Sequence, residues 1–334
     1  MDDSCPTPAW RVAVLCGGNS CERSVSLESG SNVAAALAVA GHVVDIIDPA
    51  ETDLLTVNWS PYDVAFLALH GAFGEDGAIQ DLLDGFGVPF TGSDALTSRL
   101  AFNKAAAKER FVQGEVPTPE FALVTRRDSL NAVKRAADRL GYPLVVKPNS
   151  QGSSFGISLV HSAEQLEPAI HRAFEYDSAV LLEVAILGDE WTVPLLDSHV
   201  LPPVRVTTRR ELFDFHAKYL DEDTGYSFAA TSSQATLRSI EDAARRACSV
   251  LGTRGIARVD LRLDDQQRPY VLEVNTIPGM TSHSLVPKSA ERLGWSLTDV
   301  CERAIVSALQ KVTGVQNRHE THRTQRSSRF VRAS

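Results

Sequence analysis

From Arg258 to Leu263 the chain alternates without a break, Arg258, Asp260 and Arg262 on one side and Val259, Leu261 and Leu263 on the other. That period of two predicts a half-buried strand. A polar stretch, Asp264 to Pro269, leads to a second run, Tyr270 to Val274, so the pair reads as a hairpin with a longer loop. Glu273 and Asn275 stand two apart and share a face, and pairing in register brings Asp260 to them. Two carboxylates and an amide oxygen make an all-oxygen ligand set that suits Mg²⁺ better than zinc. Taken alone, the two acids read as surface residues balanced by Arg258 and Arg262. The continuation Asn275-Thr-Ile-Pro-Gly-Met-Thr-Ser-His-Ser284 favours a site, because a Pro-Gly turn and hydroxyl-rich loop present backbone N–H groups beside the acids.

The N-terminal part alternates apolar runs with one helical stripe: strands Val12 to Leu15, Val43 to Ile47 and Val64 to Leu69, and a helix from Ser29 to Ala40 with Val33, Ala36, Leu37 and Ala40 aligned. This predicts a parallel sheet with helices on its faces. A short strand near Val88 to Phe90 leads to one helix, Leu96 to Val112, capped by Ser93 or Asp94, with Leu100, Ala107 and Phe111 inward and Lys108 in solvent. Pro117 to Ile186 reads helix, strand, strand, helix, strand, a small α+β layer whose second helix opens on a capping box, Ser162 and Gln165. Strands at Glu190 to Val193 and Leu201 to Val206, a helix from Thr236 to Leu251, the hairpin and a helix from Thr298 to Val312 follow. The implied division is a flexible start (1–9), an α/β unit (10–92), a central unit (93–187), a C-terminal α+β unit (188–312) and a tail (313–334).

Composition narrows the class. At 334 residues the chain holds two or three domains, and 43% hydrophobic and 22% charged residues are those of a soluble protein. No apolar run is long enough to span a bilayer, and the acidic N-terminus is unlike a signal peptide. Five scattered cysteines without a Cys-x-x-Cys pair fit reduced thiols and a cytoplasmic location. The net charge of −9 is uneven: from Gly314 onward five arginines face one glutamate, which leaves −13 on the remainder. An acidic body argues against nucleic-acid binding, and the basic tail reads as a solvated extension.

Candidate chemistry also lies in glycine-rich turns. Gly-x-Gly-x-x-Gly and the Walker pattern are both absent, which excludes two common nucleotide sites. His70-Gly-Ala-Phe-Gly-Glu-Asp-Gly77 ends a strand and can approach a ligand closely. Gly152-Ser-Ser-Phe-Gly156 formally matches a serine-hydrolase elbow, but it joins strand to strand where that motif needs a helix. With Lys147 at its base it reads instead as a lid whose N–H groups cradle phosphate.

Together these motifs resemble the D-alanine–D-alanine ligases of the ATP-grasp superfamily from Val12 to about Val312. The resemblance rests on Gly17-Gly-Asn-Ser-Cys-Glu-Arg-Ser-Val-Ser-Leu27, the His70 loop, Val146-Lys-Pro-Asn-Ser-Gln-Gly-Ser-Ser-Phe-Gly156, Phe213-Asp-Phe-His-Ala-Lys-Tyr219 and the segment from Glu273 to Ser284. It implies three domains (α/β and α+β) that clamp ATP between the second and third. Lys104, Lys147 and Lys218 then meet its phosphates, Gly152 and Ser154 belong to the lid, Glu183, Val184 and Ile186 to the adenine hinge, and Glu190 to the ribose. Asp260, Glu273 and Asn275 match ligands of two Mg²⁺ or Mn²⁺ ions. Glu22 matches the acid on the first D-alanine's ammonium, with His70 beside it. Ser153 and Tyr219 match the pair that locks the lid. Arg258 and the Gly279 N–H match the oxyanion donors, and Ser284 and Leu285 the second carboxylate's site. The implied product is D-alanyl-D-alanine for peptidoglycan, made through a D-alanyl phosphate by a homodimer.

The chain departs from the family pattern at Ser24, Asn103, Val184 and Pro194, where Pro194 is expected to interrupt a strand and Val184 to weaken nucleotide binding. Alternatives are an ester-forming D-alanine–D-lactate ligase, against which Tyr219 stands, another ATP-grasp ligase, or a non-catalytic nucleotide-binding module.

Overall fold

The computed structural model describes residues 9–152, 155–207, 225–228 and 233–310. Three sheets organise them. In the first, β1 (Arg11–Leu15) lies between β2 (Val43–Ile47) and β3 (Val64–Leu67), all parallel. β3 throughout, and β1 from Val12 to Leu15, are apolar and buried because both faces are covered. Helix α1 (Arg23–Val39) packs on this sheet and starts six residues before Ser29, where its apolar stripe placed the start. Its first turns bury hydroxyls where a stripe would bury methyls: Ser26 Oγ donates to the Ala68 carbonyl at 2.7 Å, and Ser29 Oγ accepts from the Met280 N–H at 3.0 Å. Helix α2 (Ala78–Phe86) follows the His70 loop.

The expected single helix after Ser93 is two, α3 (Ala95–Phe102) and α4 (Lys104–Gln113). Asp94 caps α3 through the Thr97 N–H. Asn103, extended at φ −83° and ψ 98°, ends α3 and caps α4 by accepting from the Ala106 N–H. An asparagine that satisfies the next helix's free donors makes a break that apolar periodicity does not register.

The second sheet, in order β4 (Phe121–Thr125), β7 (Ala179–Val184), β5 (Leu144–Pro148), β6 (Ser158–Val160), is antiparallel and backed by α5 (Leu130–Leu140) and α6 (Ala163–Phe174). β4 had no sequence signal, since only Val124 of its five residues is fully buried. At α6 the capping box is displaced: Gln165 reaches the His161 N–H at 2.7 Å, and the Ser162 side chain caps nothing.

The third sheet runs β11 (Gly225–Ser227), β10 (Val204–Thr207), β8 (Glu190–Leu196), β12 (Ile256–Leu263), β13 (Pro269–Asn275), with β9 (His199–Val200) on β8. Helix α7 (Gln234–Leu251) covers it, capped by Ser233 and ended by Gly252, and Trp191, Val193, Val259, Leu261 and Leu263 lie in that core. Pro194 does not interrupt β8. Its carbonyl accepts from the Leu201 N–H, and N–H and C=O of one strand residue share an edge, so the missing donor falls between the β10 and β9 pairings. Helices α8 (Leu285–Glu291) and α9 (297–310) return to the first sheet. No helix among the described residues is long and apolar enough to cross a membrane.

Candidate active site

The β12–β13 hairpin forms as its alternation requires, with Asp260 opposite Glu273 and Arg258 opposite Asn275. A bulge after Asp260 lets the register slip without turning the acids away. The Arg258 guanidinium forks onto both Asp260 oxygens at 2.9 and 2.8 Å, Asn275 Nδ2 donates to Asp260 at 3.2 Å, and the Thr192 hydroxyl donates to it as well. Lys104 Nζ lies 3.3 Å from Glu273 and donates to the Gln151 carbonyl at 2.7 Å, so it joins the acids to the glycine hairpin. The donor set passes the test for a hard divalent ion: oxygen atoms only, with negative charge held by Arg258 and Lys104. Among the described residues no three His, Cys, Asp or Glu side chains cluster as a self-sufficient metal site. Two carboxylates and an amide therefore suit an ion that completes its shell with phosphate oxygens and water, the habit of Mg²⁺.

Lys147, at the end of β5, pairs with Glu183 of β7 at 2.8 Å. Lys108 corrects the sequence expectation. The break at Asn103 turns it inward, where it has no exposure and lies 2.7 Å from Glu183's other oxygen. Burial lowers Lys108 to about 8 against the pull of Glu183. Burial alone would raise the Glu183 carboxyl, but Lys108 and then Lys147 outweigh it and hold it below the usual carboxylate range.

Two adjoining clefts meet at Glu75, Gly152, Glu273 and Asn275. One, of about 340 Å³, is lined by Lys104, Gln151 and Phe102. The other, of about 390 Å³, holds Glu22, His70, Arg258 and Gly279. Glu22, at the N-terminus of α1, is buried and faces the lid so closely that a Cβ at Gly152 would sit 2.3 Å from its carboxylate. A larger residue there would push the Glu22 carboxylate out of its present position. Burial lowers the His70 pKa and favours a neutral imidazole, whose Nε2 is 3.4 Å from Ser29 Oγ. Ser284 Oγ accepts from the Thr281 N–H at 2.9 Å and stands against Gly279, and Leu285 is buried at the start of α8.

Glu75 is a site residue that the sequence reading passed over, although its loop carried two acids between glycines. Burial, then Glu22, pushes it up to about 8, while its Oε2 accepts from the Gly71 N–H at 2.9 Å. A carboxyl raised in the folded state binds more protons folded than unfolded, so it removes stability as pH climbs from its unfolded value near 4.5 toward 8. Glu75→Gln keeps the acceptor and lacks the titration. Its Tm is expected to match the parent at pH 5 and to exceed it by about 3 °C or more at pH 8. Equal melting differences at the two pH values would refute the assignment.

At the hinge after β7, Arg262 donates to Glu190 at 3.0 Å and to the Ile186 carbonyl at 2.9 Å, which ties the expected ribose acid to the expected adenine segment. Gly188 presses on β12, where a Cβ would lie 1.9 Å from the Leu263 carbonyl. Val184 is half-buried and packs on the core of the second sheet. The structure thus gathers Glu22, His70, Lys104, Gly152, Arg258, Glu273, Asn275 and Gly279 around the two clefts, with Asp260 bound behind Arg258 and Asn275, Lys147 and Glu183 paired and Glu190 at the hinge. Ser153, Ser154, Lys218 and Tyr219 lie outside the described residues.

A glycine hairpin on one antiparallel sheet, facing paired acids on a second, defines the ATP-grasp class. Comparison with known proteins agrees and goes further. Residues 45–93 match the family model "D-ala D-ala ligase N-terminus" and residues 111–306 match "D-ala D-ala ligase C-terminus". A D-alanine–D-alanine ligase of Azoarcus sp. is 42% identical, over 89% of this chain and 97% of its own. The D-alanine–D-alanine ligase of Bacillus anthracis superposes with TM-score 0.82 at 35% identity, covering 90% of this chain and 98% of the other. The same enzyme complexed with ATP gives TM-score 0.80 at 32% identity over the same shares. The chain belongs to the D-alanine–D-alanine ligase family.

Proposed function

We propose that the protein joins two D-alanines to D-alanyl-D-alanine at the expense of ATP, with the triphosphate over the Lys104 cleft and the amino acids in the Glu22 cleft. The observation that carries this is the wall shared by the clefts: Glu273 and Asn275 border both, so a phosphoryl donor and its acceptor meet over one set of acids. A carboxylate is a poor electrophile and repels a triphosphate, so charge must be neutralised before transfer. Lys104, Lys147 and Lys218 do this on the protein's side. Asp260, Glu273 and Asn275 would hold Mg²⁺ or Mn²⁺, which when bound supplies further neutralisation of the phosphate oxygens.

Glu22 holds the ammonium of the first D-alanine, and neutral His70 adds no competing charge. Transfer to the carboxylate yields an acylphosphate that the second amine attacks, and Ser284 and the start of α8 take the second carboxylate. The oxyanion of the tetrahedral intermediate accepts from Arg258 and the Gly279 N–H. The lid at Gly152, locked by Ser153 and Tyr219, keeps water from the acylphosphate. Val184 and Ile186 back the adenine and Glu190 the ribose. The reading also implies a cytoplasmic homodimer serving peptidoglycan synthesis.

The test is phosphate release with ATP and Mg²⁺ on D-alanine alone, on D-alanine with D-lactate, and on L-alanine. Release with D-alanine alone, with dipeptide as product, is expected. Depsipeptide in preference to dipeptide would indicate the ester-forming reaction, and no release under any condition a binding module.

A further inference from the structure

Among the described residues the Lys108 ammonium lines neither cleft and has no surface exposure. Its surroundings fix it in three ways. The Thr118 hydroxyl spends its proton on the Val271 carbonyl at 2.7 Å, so toward Lys108, at 2.5 Å, it accepts. The ring of Phe121 lies 5.3 Å away and favours a cation. Glu183 Oε2 is 2.7 Å away. Lys147 is held differently: among the described residues its ammonium meets Glu183 Oε1, at 2.8 Å. One buried carboxylate thus serves an immobile lysine and a releasable one.

We propose that Lys108 is a positioning residue for nucleotide binding, the resident counter-ion of Glu183 that lets Lys147 leave that carboxylate for a phosphate oxygen of ATP. This rests on the reading above that the triphosphate reaches Lys147. The physical reason is charge balance in a dry site. With Lys108 in place, the departure of Lys147 leaves Glu183 paired. Without it, the carboxylate would cling to Lys147, because a buried charge stripped of its last partner is strongly unfavourable. ATP would then have to break that pair to bind.

Steady-state kinetics on the full chain, with D-alanine saturating, tests this. Lys108→Met should raise the ATP KM about tenfold or more, a penalty of about 1.4 kcal/mol or above, and leave kcat within about threefold. The effect must run through Glu183, so Lys108→Met/Glu183→Gln should differ from Glu183→Gln by less than about twofold. An unchanged KM in Lys108→Met, or a full multiplication of its effect on the Glu183→Gln background, would each overturn the proposal. If Lys108→Met fails to fold, the double variant, which removes both charges, carries the same comparison against Glu183→Gln. Lys147→Met separates the two readings, since an unchanged ATP KM there defeats the placement of the triphosphate itself.

Discussion

Glu273→Gln is expected to lower kcat/KM for ATP by about a thousandfold or more while the far-ultraviolet circular dichroism of the parent is retained. The substitution preserves shape and removes one negative charge from the wall between the clefts. Two functions fail together. Lys104, 3.3 Å away, loses a charged partner that orients it toward the glycine hairpin, and the oxygen set loses one of its two carboxylates. Divalent-ion stabilisation of a phosphoryl-transfer transition state is worth several kcal/mol, and about 4 kcal/mol corresponds to a thousandfold. Stability should change little, because the Glu273–Lys104 pair is partly exposed, with 24% of the glutamate side chain accessible, and such pairs contribute about 1 kcal/mol or less. Binding of Mn²⁺ in the presence of a non-hydrolysable ATP analogue, followed by electron paramagnetic resonance, reads the loss of a ligand apart from turnover. A variant that keeps activity within about tenfold of the parent would remove Glu273 from the site.

The hairpin was legible because its signal is local and double. Period two fixes which side chains share a face, and the Pro-Gly turn and hydroxyl-rich loop after Asn275 mark the face that carries Asp260 and Glu273 as a site. Gly152 was readable as part of a lid, yet nothing local says that it touches Glu22, and nothing marked Gly188 as pressing on the Leu263 carbonyl. Lys108 was misplaced for a physical reason. A lysine on a helix defaults to solvent, and its helix had been drawn straight through Asn103. The partner that reverses the default, Glu183, sits on a strand far along the chain and is recognisable only once β7 lies beside α4. Pro194 shows the converse. The rule that proline breaks a sheet is a rule about a missing donor, and it lapses where two neighbouring strands leave a gap. Glu75 was visible as an acid between glycines, but what sets it apart is its crowding by Glu22 and burial, which only the fold creates.

Arg258→Met should separate the two halves of the reaction. Arg258 lies two residues before Asp260 on the same strand face and lines the acyl cleft beside Gly279. Its fork onto Asp260 fixes the guanidinium, which costs less ordering at the moment an oxyanion forms. Removing one such donor typically lowers kcat by about 10² to 10³. The loss falls on attack by the second amine, while transfer from ATP to the first carboxylate draws on Lys104, Lys147 and the acids. Dipeptide formation should therefore drop by about a hundredfold or more, and ADP formation by much less, the difference appearing as hydrolysed acylphosphate. The ratio of ADP to D-alanyl-D-alanine, near one in the parent, should rise well above it. Arg258→Lys restores charge without the fork, since an ammonium cannot hold both Asp260 oxygens and still face the cleft, and it should recover only part of the coupling. If ADP and dipeptide fall in step in both variants, Arg258 acts before the acylphosphate forms, by holding Asp260 in the metal set, and the oxyanion role passes to the Gly279 N–H alone.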